Sequence, residues 1–173
     1  MLVGGLAIAV VLVWTAVASL PDGRLQVMVL DVGEGDAVFV ETPAGQQVLV
    51  NGGPSPVKMT AHLGRRMPFW DRTLDLVVLT DPEEEHLAGL IRVLKRYEVA
   101  NVPYVLPRGY VSLIYERWQE LVQEKGVVPQ RAIAGTRVAL GSGVSLTVLH
   151  PTEEELADDP FDERKQAMVV RVD

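Results

Sequence analysis

Residues 74–90, LDLVVLTDPEEEHLAGL, decide the fold of this chain. The apolar run at 76–79 predicts a buried strand, and it stops at Thr80. Asp81, three glutamates and His86 follow within the next six residues. Apolar residues then recur at helical spacing, which predicts a helix with one buried face, at Leu87, Leu90, Ile91 and Leu94. A strand, an acidic turn and a helix in this order are how α/β proteins present polar groups at the carboxyl end of a strand.

The acidic turn at 81–86 has two interpretations, and the spacing of its residues leaves both open. The first is helix capping, with Asp81 as the N-cap, Pro82 at the first helical position and Glu84 in the first turn. The helix dipole favours each negative charge there by ~0.3–1 kcal/mol. The second is a cation site of oxygen ligands and one nitrogen. Its ligands would be Asp81, Glu83, Glu85 and His86.

The N-terminal segment differs from the rest of the chain because residues 2–20 carry no charge. A run of this length can cross a hydrocarbon core of ~30 Å at ~1.5 Å per residue. We therefore predict a transmembrane helix at 1–22 and one domain at 23–173. A cleaved signal peptide is the alternative, since Ala16, Val17 and Ala18 resemble a cleavage site, although no basic residue precedes the run. Arg24 is the only basic residue near the span, so the charges do not set its orientation.

Composition limits the chemistry that the chain can perform. The sequence contains no cysteine, which excludes a disulfide framework and a thiolate metal site. The net charge of −7 argues against broad attraction to a nucleic-acid backbone. The one basic cluster, Arg65, Arg66 and Arg72, is too small to form a DNA groove. Any contact with nucleic acid should be local or bridged by a metal.

The remaining pattern predicts a mixed α/β (α+β) domain. Three short antiparallel strands are expected within 24–30, 38–40 and 47–50, followed by a helix at 57–63. A strand at 101–106 and a helix at 109–125 should follow the acidic turn, with Gly126 as the C-cap. Further strands are predicted at 127–133, 137–140, 144–149 and 168–172. The acidic segment 151–162 is expected to be a solvated loop.

Three segments, in this order along the chain, resemble one known family. LDVGEGDA at 30–37 resembles the signature LDVGQGDA, VNGGP at 50–54 resembles IDGGP, and LTDPEEEHLAGL at 79–90 resembles LTHPHADHxGGL. These are signatures of the metallo-β-lactamase-like domain in the ComEC family of competence DNA-uptake proteins. The resemblance runs from the apolar segment to Asp173. It implies an αββα sandwich at the cell membrane, outside the cytoplasm, with a role in DNA uptake during transformation.

The resemblance also implies where metal ligands would lie. In that fold the turn supplies histidines and an aspartate to two metal ions. Asp81 and Glu83 stand where the histidines would be, Glu85 replaces the aspartate, and His86 is kept. Exchanging imidazoles for carboxylates weakens selection for zinc and favours harder cations such as Mg, Ca or Mn. Asn51 stands at the acidic position of the second segment, which removes another charge.

Two carboxylates are the candidate catalytic groups. Asp36 keeps its position in the first segment and is expected beside the turn. Without the resemblance, an aspartate after a glycine in a turn is commonly a turn residue. Glu85 is one methylene longer than aspartate, which moves its carboxylate by about an ångström, comparable to a misplacement that costs ~100-fold in rate.

The family's later TGD and HHGS segments should follow residues 168–172, so we expect only the N-terminal half of the fold, completed by further sequence or by a second chain. Our main hypothesis is a membrane-anchored, non-catalytic domain without a resident cofactor. One alternative is a phosphodiesterase that degrades a DNA strand with Mn, Mg or Zn at the turn. The other is an ion-binding interaction module without turnover. The expected partners are the membrane, single-stranded DNA and other DNA-uptake proteins.

Overall fold

The computed structural model describes residues 2–18, 20–104, 112–158 and 167–173. Five helices lie within these residues: α1 Leu2–Ala18, α2 Pro56–Arg66, α3 Glu84–Arg96, α4 Leu113–Glu124 and α5 Glu153–Asp158. The strands before α4 are β1 Gln26–Val29, β2 Val38–Glu41, β3 Gln47–Val50, β4 Thr73–Val78 and β5 Glu98–Tyr104. The later strands are β6 Pro129–Arg131, β7 Arg137–Ala139, β8 Ser145–His150 and β9 Val169–Val172. The predicted α/β composition is therefore confirmed.

The first sheet has the strand order β1 to β6 and changes direction in its middle. β1, β2 and β3 pair antiparallel, as the sequence predicts, because a tight hairpin joins β2 to β3. In that hairpin the Gly45 amide donates to the Thr42 carbonyl at 2.8 Å, and Gly45 has a φ of 82°. β3, β4, β5 and β6 pair parallel, because a helix connects each strand to the next.

Helices α2, α3 and α4 cover one face of this sheet. The apolar side chains between them form a buried cluster that includes Met59, Leu63, Leu87, Leu90, Leu94 and Trp118 from the helices and Phe39, Leu49 and Val77 from the strands. Of the α3 residues predicted to face inward, Leu87, Leu90 and Leu94 are buried and Ile91 is partly buried. The helical spacing of these residues thus predicts the packed face of α3 correctly.

A second sheet of β7, β8 and β9, all antiparallel, packs on the other face. Residues Val40, Val48, Leu76 and Val78 of the first sheet share a buried cluster with Leu140, Leu146 and Val148. The amide of Met168 also donates to the carbonyl of Thr80 at 2.6 Å, so the segment entering β9 contacts the end of β4. The described domain is therefore layered as helices, sheet and sheet.

The prediction of a solvated loop at 151–162 is wrong for residues 153–158, because these residues form the helix α5. The Thr152 hydroxyl accepts a hydrogen bond from the Glu155 amide at 3.2 Å, and the Glu155 carboxylate accepts one from the Thr152 amide at 2.8 Å. This reciprocal pair is a capping box, and Leu156 is buried beneath it. Residues 159–162 lie outside the described residues, as do residues 109–111 of the predicted fourth helix.

The apolar N-terminal segment forms the helix α1, whose described side chains are almost all exposed. None of the helices in the described part of the chain combines the length and apolarity needed to cross a membrane.

Candidate functional site

Asn51 and Thr80 fix the position where the acidic turn begins. They follow the neighbouring parallel strands β3 and β4, so both lie at the same edge of the sheet. The Asn51 Oδ1 accepts a hydrogen bond from the Thr80 amide at 2.9 Å, and its Nδ2 donates to Thr80 Oγ1 at 2.8 Å. Asn51 is buried and has a φ of 57°, a left-handed conformation that asparagine tolerates better than most residues. Its side-chain amide therefore holds the end of β4.

Two glycines bring the start of α3 against the loop after β3. The Gly52 amide donates to the His86 carbonyl at 2.7 Å, and the Gly89 amide donates to the Gly53 carbonyl at 2.9 Å. A Cβ atom on Gly52 would collide with the backbone of Leu90, and one on Gly89 would collide with the backbone of Gly52. Only glycine permits this approach, which places His86 beside the turn.

The turn itself differs from the capping that the sequence suggested. Helix α3 begins at Glu84, and Glu83 occupies the N-cap position without a side-chain hydrogen bond to the helix. The prediction of Asp81 as the N-cap is therefore wrong. Its Oδ1 accepts a hydrogen bond from the Glu83 amide at 3.1 Å, which makes an Asx-type turn before the helix. The same Asp81 Oδ1 also forms a hydrogen bond with His86 Nδ1.

Asp81 and His86 form the central contact of the site. His86 Nδ1 lies 2.7 Å from Asp81 Oδ1, and their side chains are only 14% and 17% exposed. The hydrogen bond from Asp81 raises the pKa of His86 against the opposing effect of burial. Burial has the largest single effect on Asp81, but the contacts with His86, the Glu83 amide and the Thr80 hydroxyl together lower its pKa. Each partner therefore favours the charged form of the other.

The remaining predicted residues surround this pair. Asp36 Oδ2 lies 3.8 Å from His86 Nε2, and the Asp36 side chain is 80% exposed. Gly35, with a φ of 95°, packs against the backbone of Glu85 and so brings the first turn over the start of α3. The structure thus brings Asp36, Asp81 and His86 together. The side chains of Glu83 and Glu85 are exposed, although the charge of Glu85 contributes to the raised pKa of His86.

These residues do not fit a zinc centre of the kind found in metallo-β-lactamases. Zinc prefers tetrahedral sites rich in nitrogen or sulfur. The site offers one imidazole, and because its Nδ1 is bonded to Asp81, only its Nε2 could ligate a metal. Among the described residues, no three His, Asp or Glu side chains converge as metal ligands do. The assignment of Asp81, Glu83, Glu85 and His86 to a harder cation stays a prediction.

The role of Asn51 and Thr80 was missed by sequence reasoning, which treated Asn51 only as a lost charge. The available signal was their position, because the carboxyl ends of adjacent parallel strands meet at one edge of a sheet. Their partnership depends on the register of β3 against β4, where Val50 pairs with Val78. That register cannot be read from either strand alone.

Comparisons with known proteins agree with this architecture. No family model matches the chain. ComE operon protein 3 of Bacillus subtilis (strain 168) is 26% identical over an alignment that covers 84% of this chain and 20% of that protein. The chain therefore spans about a fifth of the length of this curated relative. The match supports a ComEC-like domain, in line with the resemblance of the three segments.

Solved structures show the fold. A metallo-β-lactamase of Cronobacter sakazakii with a HARLDQ motif superimposes with a TM-score of 0.54 at 14% identity, covering 84% of this chain and 54% of that one. The rubredoxin oxygen:oxidoreductase of Desulfovibrio gigas gives a TM-score of 0.53 at 14% identity, covering 87% and 31%. The described domain has a metallo-β-lactamase-like fold, which confirms the mixed α/β, metallo-β-lactamase-like part of the predicted fold class, while the preceding transmembrane helix stays a prediction.

Proposed function

We propose that this chain is a non-catalytic metallo-β-lactamase-like domain of a competence DNA-uptake system, attached to the membrane by residues 1–22 and located outside the cytoplasm. The three ordered segments and the similarity to ComE operon protein 3 support the link to competence. The uncharged helix α1, with its exposed side chains, supports membrane attachment. The observation that carries the non-catalytic role is the donor set of the turn, which offers one imidazole and has Asp81, its least exposed carboxylate, already bonded to that imidazole.

A catalytic metal site needs three or more well-placed ligands and an open position for water or substrate. In this chain the two least exposed ionisable groups of the turn, Asp81 and His86, bind each other at 2.7 Å. A cation that recruited His86 Nδ1 or Asp81 Oδ1 would have to break this hydrogen bond between charged groups, at a cost of roughly 1–3 kcal/mol. The turn is therefore better suited to holding α3 against the sheet than to turnover.

We propose another protein as the partner of this domain, in preference to direct contact with DNA. The net charge of −7 repels a phosphate backbone. On β1, Val27 and Val29 are 58% and 79% exposed, and they pair with Val40 and Val38 on the sheet face that packs against the second sheet. Exposed apolar side chains beside a buried face are typical of interaction surfaces. A second chain that completes the fold would cover them.

A metal-dependent phosphodiesterase is the second candidate function, and one observation favours it. His86 Nε2 lies 3.8 Å from Asp36 Oδ2, and the charge of the exposed Glu85 carboxylate also raises the pKa of His86. A Mn or Mg ion held there would supply a bound water of lowered pKa. Asp36 and Glu85 would then be the residues that hold the ion or orient that water.

Incubation of the full chain with single-stranded DNA and Mn, Mg or Zn distinguishes the two functions. We expect no metal-dependent cleavage. Cleavage that Asp36→Asn abolishes and Asp31→Asn preserves would contradict the non-catalytic role and support the phosphodiesterase. Asp31 is the matched control, because it is an exposed aspartate of the same loop that contacts Lys58 at 3.5 Å, on the other side of Gly33.

A further inference from the structure

An open groove of about 720 Å³ lies at the opposite end of β3 from the acidic turn. The turn contacts Asn51, directly after β3, whereas the groove is lined by Gln47, the first residue of that strand. Its walls come from the segment after α1, the β2–β3 hairpin and the loop between α2 and β4. The residues that line it include Leu20, Pro21, Arg65, Arg66 and Trp70.

The positive charges in this groove are available to a ligand. Arg65 and Arg66 form the last turn of α2, both are exposed, and neither makes an ion pair with any described residue. Three carboxylates also line the groove: Asp22, Glu41 and Asp71. Two of these carboxylates accept hydrogen bonds from neutral amide groups of the protein, and none of the three forms an ion pair with Arg65 or Arg66. Asp71 accepts hydrogen bonds from Gln47 Nε2 at 2.7 Å and the Thr73 amide at 3.1 Å, and Asp22 accepts them from the Arg24 amide and Gln26 Nε2.

Two exposed aromatic rings lie beside the arginines in the chain. Trp70 lines the groove, and its neighbour Phe69 meets it edge to face, with ring centroids 4.7 Å apart; they are 48% and 74% exposed. Leu20, which lines the same groove, is also exposed. Aromatic residues beside arginines are typical of protein surfaces at the membrane–water interface. There the rings enter the headgroup region, and the guanidinium groups contact lipid phosphates.

The groove is also continuous with the uncharged helix. Leu20 lies two residues beyond the last residue of α1, and its amide donates to the carbonyl of Val17 at 3.2 Å. A membrane that holds α1 is therefore brought next to Arg65, Arg66, Phe69 and Trp70. This continuity with an uncharged apolar helix favours a lipid surface over single-stranded nucleic acid.

We propose that Arg65, Arg66, Phe69 and Trp70 form a membrane-docking surface, in which the arginines bind the phosphate groups of anionic phospholipids and the two rings enter the lipid interface. This inference rests on the membrane attachment through residues 1–22 and adds a second contact to it. It fixes how the domain faces the membrane, with the groove toward the lipid and the acidic turn away from it.

Vesicle experiments on the full chain test the attachment and the docking separately. Flotation with phosphatidylglycerol or phosphatidylcholine vesicles reports attachment through residues 1–22. Docking is read from quenching of Trp70 fluorescence by brominated acyl chains, in a Trp14→Phe background, because the remaining Trp118 is buried. We expect flotation with both lipids and quenching of Trp70 only with phosphatidylglycerol.

The double variant Arg65→Gln with Arg66→Gln should keep flotation and lose quenching, since each arginine is expected to shift the docking equilibrium roughly five-fold. The matched control, Arg92→Gln with Lys95→Gln, removes the same charge from the exposed side of α3 and should keep both signals. Phe69→Ala tests the aromatic half in the same way and should reduce quenching.

Three results would overturn the proposal. Equal quenching of Trp70 in the arginine variant and its control, or with the two lipids, would show that these residues do not dock on anionic lipid, and it would leave the attachment through residues 1–22 unaffected. Absence of flotation would contradict both the membrane attachment and the docking surface that depends on it. Binding of a single-stranded oligonucleotide that requires Arg65 and Arg66, without a change in Trp70 quenching, would assign the groove to nucleic acid.

Discussion

At the scale of residues, the site consists of two contacts between polar side chains. The Asn51 side chain binds the backbone and hydroxyl of Thr80, and Asp81 binds His86. The sequence predicts that Asp81 and His86 share a site, because both follow a buried strand within six residues. It does not predict their direct contact, because four residues of turn and helix lie between them and the course of that backbone sets the distance.

The contact between Asp81 and His86 should make stability depend on pH in a defined window. His86 has a raised pKa, so its contribution is complete below the ordinary value of 6.5 and is lost as pH rises through the raised value. Asp81 has a lowered pKa, so its contribution is complete above the ordinary value of 3.8 and is lost as pH falls through the lowered value. The pair therefore stabilises the domain fully between these two ordinary values.

Asp81→Asn should reduce the free energy of unfolding by roughly 1–3 kcal/mol in this window, the cost of leaving a charged group without its hydrogen bond. The loss should be smaller at about pH 9, where His86 is neutral in the unfolded chain and the charged pair contributes less. Urea unfolding at both pH values measures it. Asp31→Asn is the control, and the same loss in both variants would show that the pair has no specific effect.

At the scale of elements, local patterns predict the helices and strands, and packing decides their ends. The helical spacing of Leu87, Leu90 and Leu94 identifies the buried face of α3. The missed helix α5 had a local signal, Thr152 followed three residues later by Glu155, but the three glutamates there also suit a solvated loop. Leu156 is buried among the apolar residues between the two sheets, which favours the helix over the loop, and that contact comes from the tertiary fold.

The approach of α3 to the loop after β3 can be tested with glycine variants. Gly89→Ala should lower the free energy of unfolding by about 1–3 kcal/mol, the range for forcing extra atoms into a packed site, because its Cβ would collide with the Gly52 backbone. Gly64→Ala in α2 is the matched control. That position has open space around it and should be stabilised by roughly 0.5–1 kcal/mol.

Thermal unfolding followed by circular dichroism compares the two glycine variants with the unmodified chain. A midpoint for Gly89→Ala that equals or exceeds that of Gly64→Ala would show that α3 is not held against the loop at this contact.

At the scale of the whole molecule, the layered fold places two different surfaces at the two ends of β3, the acidic turn and the arginine groove. The three ordered segments predict this fold, because they imply a known architecture. The groove could not be predicted, since Leu20, Gln47, Arg65 and Trp70 meet only once the sheet and α2 are packed. The exposed β1 face is also a property of the assembled sheets.

The exposed face of β1 should make the domain self-associate when no partner covers it. Val27→Thr with Val29→Thr keeps two β-branched residues on the strand and reduces their apolar surface. We expect the variant to sediment with less concentration-dependent association than the unmodified chain. Val57→Thr, at an exposed valine of α2, is the control and should not change sedimentation. Equal association of all three proteins would contradict an interaction surface at β1.

The central claim is that the acidic turn holds α3 through an ion pair and does not hold a catalytic metal. Thermal unfolding of the full chain with and without millimolar Mn, Mg or Zn tests it most directly. We predict no change in the midpoint, with a lower midpoint for Asp81→Asn in every condition. A cation at ~100 times its dissociation constant would stabilise the native state by ~2.7 kcal/mol. A rise of that size, abolished by Asp36→Asn and kept by Asp31→Asn, would contradict the claim.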